Sequence, residues 1–116
     1  MPVQRHVLLL DLVDEADAIA RYEAWHAPGA VPPEIVASIR DAGIIAMDIY
    51  RSGNRLVMVM EADGSFDPAD KAAADASNSA VIAWEARMAM VQRPLPWADP
   101  DAKWTVAPRI FSLSQQ

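Results

Sequence analysis

Cysteine is absent from this 116-residue chain, glycine occurs four times and histidine twice. Without cysteine there is no disulfide framework, no thiolate metal site and no thiol nucleophile for acyl chemistry. The same absence accords with a cytoplasmic protein, which is the location expected. The glycines are isolated, so neither a GxGxxG nor a GxxxxGK phosphate cradle exists, and no Gly-x-Ser-x-Gly elbow is written anywhere. Long apolar runs are missing as well. The longest, "VLLL" and "LVMVM", are far too short to span a bilayer. The opening "MPVQRHVLLLDLVDE" has no long apolar block followed by small cleavage residues, so no signal peptide is read. Positive charge is sparse too: ten Lys and Arg against sixteen Asp and Glu leave a formal charge of -6. The basic residues are scattered, which disfavours nucleic acid, whose readers concentrate positive charge on one surface. A neutral small molecule or another protein is the expected partner.

What is present is apolar. Hydrophobic residues make up 53% of the chain, enough for one folded domain over residues 1–116. "HVLLLDLV" (6–13) reads as a strand, β-rich and apolar on both faces. "DEADAIARYEAWHA" (14–27) reads as a helix with acidic residues in its first turn, where the helix dipole favours them. After the rigid "PGAVPP" break, "PEIVASIRDAGI" (33–44) is a second helix, with Pro33 suited to its opening and Gly43 to its stop. "IAMDIYR" and "RLVMVMEA" are two strands joined by the hairpin signal "SGN". Residues 67–92 are Ala-rich and mostly helical, interrupted near "SNS", with Val81, Trp84, Met88 and Val91 repeating at helical spacing. A proline-rich loop with two tryptophans, Trp97 and Trp104, leads to "RIFSL" (109–113), expected to be a closing strand.

The order strand, helix in two pieces, strand, strand, helix, strand is the split βαβ, ferredoxin-like α+β pattern: an antiparallel sheet with helices on one face. The first and third strands are apolar on both sides, and the chain has no further element for the second side. A second copy pressing sheet to sheet is the simplest cover, so a homodimer is expected.

Chemistry centres on "RYEAWHAPG" (21–29). Tyr22 and His26 are four apart and share one helical face, flanked by Trp25, before Pro28-Gly29 ends the helix. Imidazole exchanges protons near neutral pH, tyrosine can bind a hydroxyl, and tryptophans offer the apolar faces that sugar rings stack on. The residues alone leave two readings open at each position. His26 is a reacting group or a packed helix histidine, and Trp84 is a platform or core. Glu85 is a ligand or a solvated charge, and Trp97 and Trp104 close over a pocket or anchor their loop. His6 reads as structural. A metal site would need both histidines with Asp11 or Asp48 from separate elements, and none is expected.

The stretch "RYEAWHAPGAVPPEIVASIRDAGIIAMDIYRSGNRLVMVMEAD", followed by "WEARM" and "RIFSL", resembles the L-rhamnose mutarotase family in order and over nearly the whole chain. "FDPADKAAADA", "WE" and "PLPW…KW" bring it nearest to the family's fucose-type branch. The resemblance implies a dimeric α+β barrel that interconverts the anomers of a sugar such as L-fucose or L-rhamnose without a cofactor. It places the proton-donating histidine at His26, the substrate-binding tyrosine at Tyr22 and the first of a tryptophan pair at Trp84. Glu85 stands at the second tryptophan, Met47 at a tyrosine and Pro32 at another tryptophan, so the pocket wall departs from the rhamnose pattern. Glu85 and Met47 are accordingly expected at the substrate, Glu85 as acid–base partner or hydroxyl acceptor. Two other readings of the fold are a cofactor-free monooxygenase acting on aromatic substrates and a non-enzymatic ligand-binding barrel.

Overall fold

A computed structural model describes residues 2–116. Strand β1 (Gln4–Leu12) is followed by helices α1 (Ala16–Trp25) and α2 (Pro33–Asp41), then by the hairpin β2 (Ile44–Ser52) and β3 (Arg55–Ala62). Helices α3 (Pro68–Ala76) and α4 (Ser79–Ala89), the short strands β4 (Gln92–Arg93) and β5 (Thr105–Val106), and a 3₁₀ turn at Leu113–Gln115 complete the chain. The strands form one antiparallel sheet in the order β2-β3-β1-β4, with β5 also paired to β1. This is the α+β, ferredoxin-like order expected.

Three local devices set the elements. Gly53, at φ +58, turns the β2–β3 hairpin. Gly43, at φ +93, carries α2 into β2 at a place where a Cβ would lie 2.5 Å from Ser65 Oγ and 2.6 Å from Asp63 Oδ1. The long helical segment breaks at Asn78, whose side chain accepts from the Ala80 and Val81 amides and so starts α4 afresh. Asp67 caps α3 in the same way, with Pro68 next.

The closing strand expected at 109–113 does not form. Residues 109–112 are irregular, and Ile110 and Phe111 are 97% and 63% exposed. The free edge of β1 is taken earlier, by Arg93 and Gln92 opposite Asp11 and Leu12, and by Val106 and Thr105 opposite Leu8 and Leu9. The ladder beyond β5 ends with the Ala107 amide on the Val7 carbonyl, and the apolar 109–113 segment joins no strand. Two fragments of the proline-rich loop region thus do the work of one fourth strand.

Strand alternation sorts the sheet into two faces. Leu10 pairs with Leu56, Leu8 with Met58 and His6 with Met60, and this face meets the helices. Leu12 and Leu56 join Ala18, Tyr22, Ile35, Val81, Trp84, Met88 and Val91 in the main core. The opposite face carries Val7 against Val59, Leu9 against Val57 and the Asp11–Arg55 ion pair, beside a Tyr50 that is 60% exposed. It is apolar at its centre, and no helix among the described residues lies over it.

Candidate functional site

Between the inner face of the sheet and the helices lies an open cavity of about 960 Å³, at the upper end of the range for ligand pockets, roughly 300–1,000 Å³. Its floor includes Met47 and Ile49 of β2 and Met58 and Met60 of β3, and its walls include Tyr22 and His26 from the end of α1, Trp84 and Glu85 from α4, Gln92 from β4 and Trp104 from the loop. Tyr22, His26, Met47, Trp84 and Glu85, drawn from α1 and its end, β2 and α4, are thereby brought to one place.

His26 is held by the way α1 ends. The helix stops at Trp25, and the His26 amide bonds back to Glu23 O at 3.2 Å rather than to Tyr22. The Tyr22 carbonyl, left without its usual partner four residues on, accepts from the His26 ring instead, at 2.7 Å from Nδ1. A carbonyl can only accept, so Nδ1 carries the proton and, in the neutral ring, Nε2 keeps its lone pair for exchange. The imidazole lies 4.1 Å from the Tyr22 ring and edge-on to Trp84 at 5.3 Å between centroids. Burial among these rings pushes its pKa below the ordinary value of 6.5, against a smaller opposing effect of the bond to Tyr22. The resting ring at neutral pH is therefore the uncharged, proton-accepting form.

Tyr22 is 3% exposed, and burial pushes its phenol up to about 12, with the Glu85 charge adding to the rise and the neighbouring Gln92 amide working against it. It stays a hydroxyl across the working pH range, a hydrogen-bonding group rather than a base. Trp84, buried in the core yet lining the cavity, is both core and platform. The guanidinium of Arg87 sits 5.2 Å from its ring and 5.5 Å from that of Trp25, bracing the aromatic wall from behind.

Glu85 stands at the cavity mouth with its carboxylate on the Lys103 ammonium at 2.5 Å. The ion pair ties the proline-rich loop to α4 next to Trp104, which packs on the core and lines the cavity. Trp97 goes elsewhere, 61% exposed beneath the Arg55 guanidinium at 5.5 Å, away from the main cavity. Pro32, beside the α2 start, is not among the residues lining it. His6 packs against Phe66 at 5.8 Å and Asp11 pairs with Arg55, so neither meets His26 in the cavity. Among the described residues no three of His, Asp and Glu stand together as metal ligands, and no helix is long and apolar enough to cross a membrane.

One cavity residue escapes sequence reading altogether. Gln92 is 7% exposed, and its Oε1 is buried with no hydrogen-bond partner. Leaving such a group unsatisfied costs about 1–3 kcal/mol. A single glutamine after a helical apolar run carries no sign of burial in the sequence, and its pairing with Leu12 turns it inward.

This arrangement of an uncharged imidazole, a phenol and a tryptophan face has counterparts among known proteins. The L-rhamnose mutarotase family model matches residues 5–113. The chain belongs to the L-rhamnose mutarotase family. An L-fucose mutarotase of Xanthomonas campestris pv. campestris is 50% identical over 115 residues, 99% of this chain and 92% of that protein. A solved L-rhamnose mutarotase from Formosa agariphila superposes with a TM-score of 0.67 over 95% of this chain and 98% of its own, at 19% identity. That likeness carries the fold. Family membership favours the sugar chemistry over the monooxygenase and ligand-binding readings of the same architecture.

Proposed function

We propose that this protein interconverts the α and β anomers of a 6-deoxy-hexose, L-fucose ahead of L-rhamnose, with His26 as the proton-transfer group. The observation that carries the proposal is the tautomer lock on His26: Nδ1 is occupied by the Tyr22 carbonyl, the ring is held uncharged, and the cavity receives the ring between a phenol and a tryptophan. The preference for L-fucose rests on the name of the relative that is 50% identical, and on Glu85 and Met47 replacing aromatic positions of the rhamnose pattern.

Mutarotation consumes nothing. The proton leaving O1 and the proton arriving on the ring oxygen balance as the C1–O5 bond breaks, the aldehyde turns about C1–C2, and closure reverses the transfers on the other face. Both oxygens sit on the same carbon, so one imidazole nitrogen can serve both. His26 Nε2 takes the O1 proton and, as imidazolium, delivers it to O5. Positioned acid–base groups contribute roughly 10²–10⁴-fold, sufficient for a reaction that water already performs slowly. Tyr22 orients the sugar through its hydroxyl, Trp84 takes its C–H face, Met47 shapes the floor, and Glu85, its charge matched by Lys103, accepts from a sugar hydroxyl.

We further propose a homodimer joined over the Val7, Leu9, Val57 and Val59 face. Saturation transfer between the anomeric protons of L-fucose and L-rhamnose tests the activity. Acceleration of L-fucose exchange beyond that of L-rhamnose is expected, and no acceleration of either sugar would reject the proposal. Light scattering at micromolar concentration tests the assembly, and a monomer mass would reject the dimer.

A further inference from the structure

We infer that Gln92 positions the sugar in this cavity, its amide oxygen accepting a hydrogen bond from a ring hydroxyl other than O1. The inference rests on the mutarotase reading of the site and adds to it a residue that the histidine and the aromatic wall do not supply.

Three side-chain atoms among the described residues are buried without a partner: His6 Nε2, Thr105 Oγ1 and Gln92 Oε1. Only Gln92 lines the large cavity. Apart from the Tyr22 phenol and the Trp84 indole, it is also the one buried side chain with a polar group among the described residues. An apolar residue of similar size would fill the same space beside Val91 and Leu95 with no acceptor left over, so a partner coming from the cavity gives the amide a reason to be there. Its neighbours restrict that partner. The amide stands beside the Tyr22 hydroxyl, whose pKa it acts to lower, and Tyr22 in turn stacks on His26 at 4.1 Å. A ligand within reach of His26 Nε2 through its anomeric carbon thus presents the rest of its ring toward the Tyr22–Gln92 pair. Adjacent sugar hydroxyls, each donor and acceptor, match a phenol and an amide set side by side. A carboxylate ligand does not match Gln92 Oε1, because it would bring a second acceptor to an acceptor.

Gln92 therefore contributes to binding ground state and transition state alike, and it does not exchange the reaction's proton. Substitution of such a group raises KM and leaves kcat nearly unchanged. For Gln92→Leu we expect KM for L-fucose to rise roughly tenfold, about 1.4 kcal/mol, with kcat within threefold of the parent and an unmoved pH profile. One of the 2-, 3- and 4-deoxy derivatives of L-fucose is expected to show the same KM with the parent and with Gln92→Leu, identifying the hydroxyl that Gln92 reads. In the unsubstituted protein, titrating L-fucose is expected to shift the Gln92 side-chain amide signals in a ¹⁵N–¹H spectrum, a readout available even if the variant fails to fold. Parent-like KM in Gln92→Leu, or side-chain signals that stay in place at saturating L-fucose, would overturn the assignment while leaving the mutarotase reading intact. Anomer exchange that His26→Ala does not slow would instead overturn that reading, and this inference with it.

Discussion

Replacing His26 by alanine separates what the imidazole does for the reaction from what it does for the fold. Its structural contribution has three parts: the Nδ1 bond to the Tyr22 carbonyl at 2.7 Å, the tilted ring contact with Tyr22 at 4.1 Å and the edge contact with Trp84 at 5.3 Å. A net hydrogen bond contributes about 1 kcal/mol, and each ring pair roughly 0.5–1.5 kcal/mol. The alanine variant should therefore lose about 2–4 kcal/mol, a fall in Tm of roughly 8–16 °C at about 4 °C per kcal/mol for a domain of this size. The catalytic loss is independent of that figure, on the order of 10²–10⁴ in exchange rate. His26→Phe divides the two. It keeps an aromatic ring between Tyr22 and Trp84 and recovers part of the stability, but it has no nitrogen and stays as inactive as alanine. Anomeric saturation transfer well below each variant's melting point, with Tm from circular dichroism, gives both numbers. A folded His26→Phe exchanging L-fucose anomers within threefold of the parent would refute the role given to the imidazole.

Other consequences follow from the same geometry. Because burial lowers the His26 pKa below 6.5, the exchange rate should hold level as pH falls through 6.5 and drop only below it; an acid limb centred above 6.5 contradicts the burial argument. The same shift makes the unfolded chain bind a proton before the folded one does, so His26 lowers stability as pH falls below 6.5, a slope that His26→Phe should reduce in denaturation curves taken at several pH values. Lys103→Ala frees Glu85 and loosens the loop carrying Trp104; an exposed ion pair is worth about 0–1 kcal/mol, so Tm should move little while KM for L-fucose rises, and an unchanged KM would show that the tie does not shape the cavity. Gly43→Ala adds a Cβ at φ +93, 2.5 Å from Ser65 Oγ, and should destabilise by more than about 1 kcal/mol in urea titration, with a parent-like midpoint arguing against strain at the α2–β2 junction.

The local elements were legible because each is written in a short stretch of chain. β1 and β3 show as apolar runs, the hairpin shows at Gly53, α2 opens on Pro33 and stops just before Gly43, and the Tyr22–His26 spacing already places both residues on one side of the end of α1. The family resemblance likewise named His26, Tyr22, Trp84, Glu85 and Met47, and the cavity gathers all five. Three features required the folded chain. The 109–113 segment looks like a strand by composition, but a strand exists only where the chain brings it to a partner, and the pairing with β1 is made by residues 92–93 and 105–106 instead. The tautomer of His26 depends on α1 ending at Trp25, one residue early enough to orphan the Tyr22 carbonyl. Gln92 becomes a buried amide only through its pairing with Leu12, eighty residues away in sequence. Periodicity, caps and turns act over a few residues and can be read one residue at a time, whereas edge pairing, burial and the partner of a polar atom are decided between segments distant in the chain.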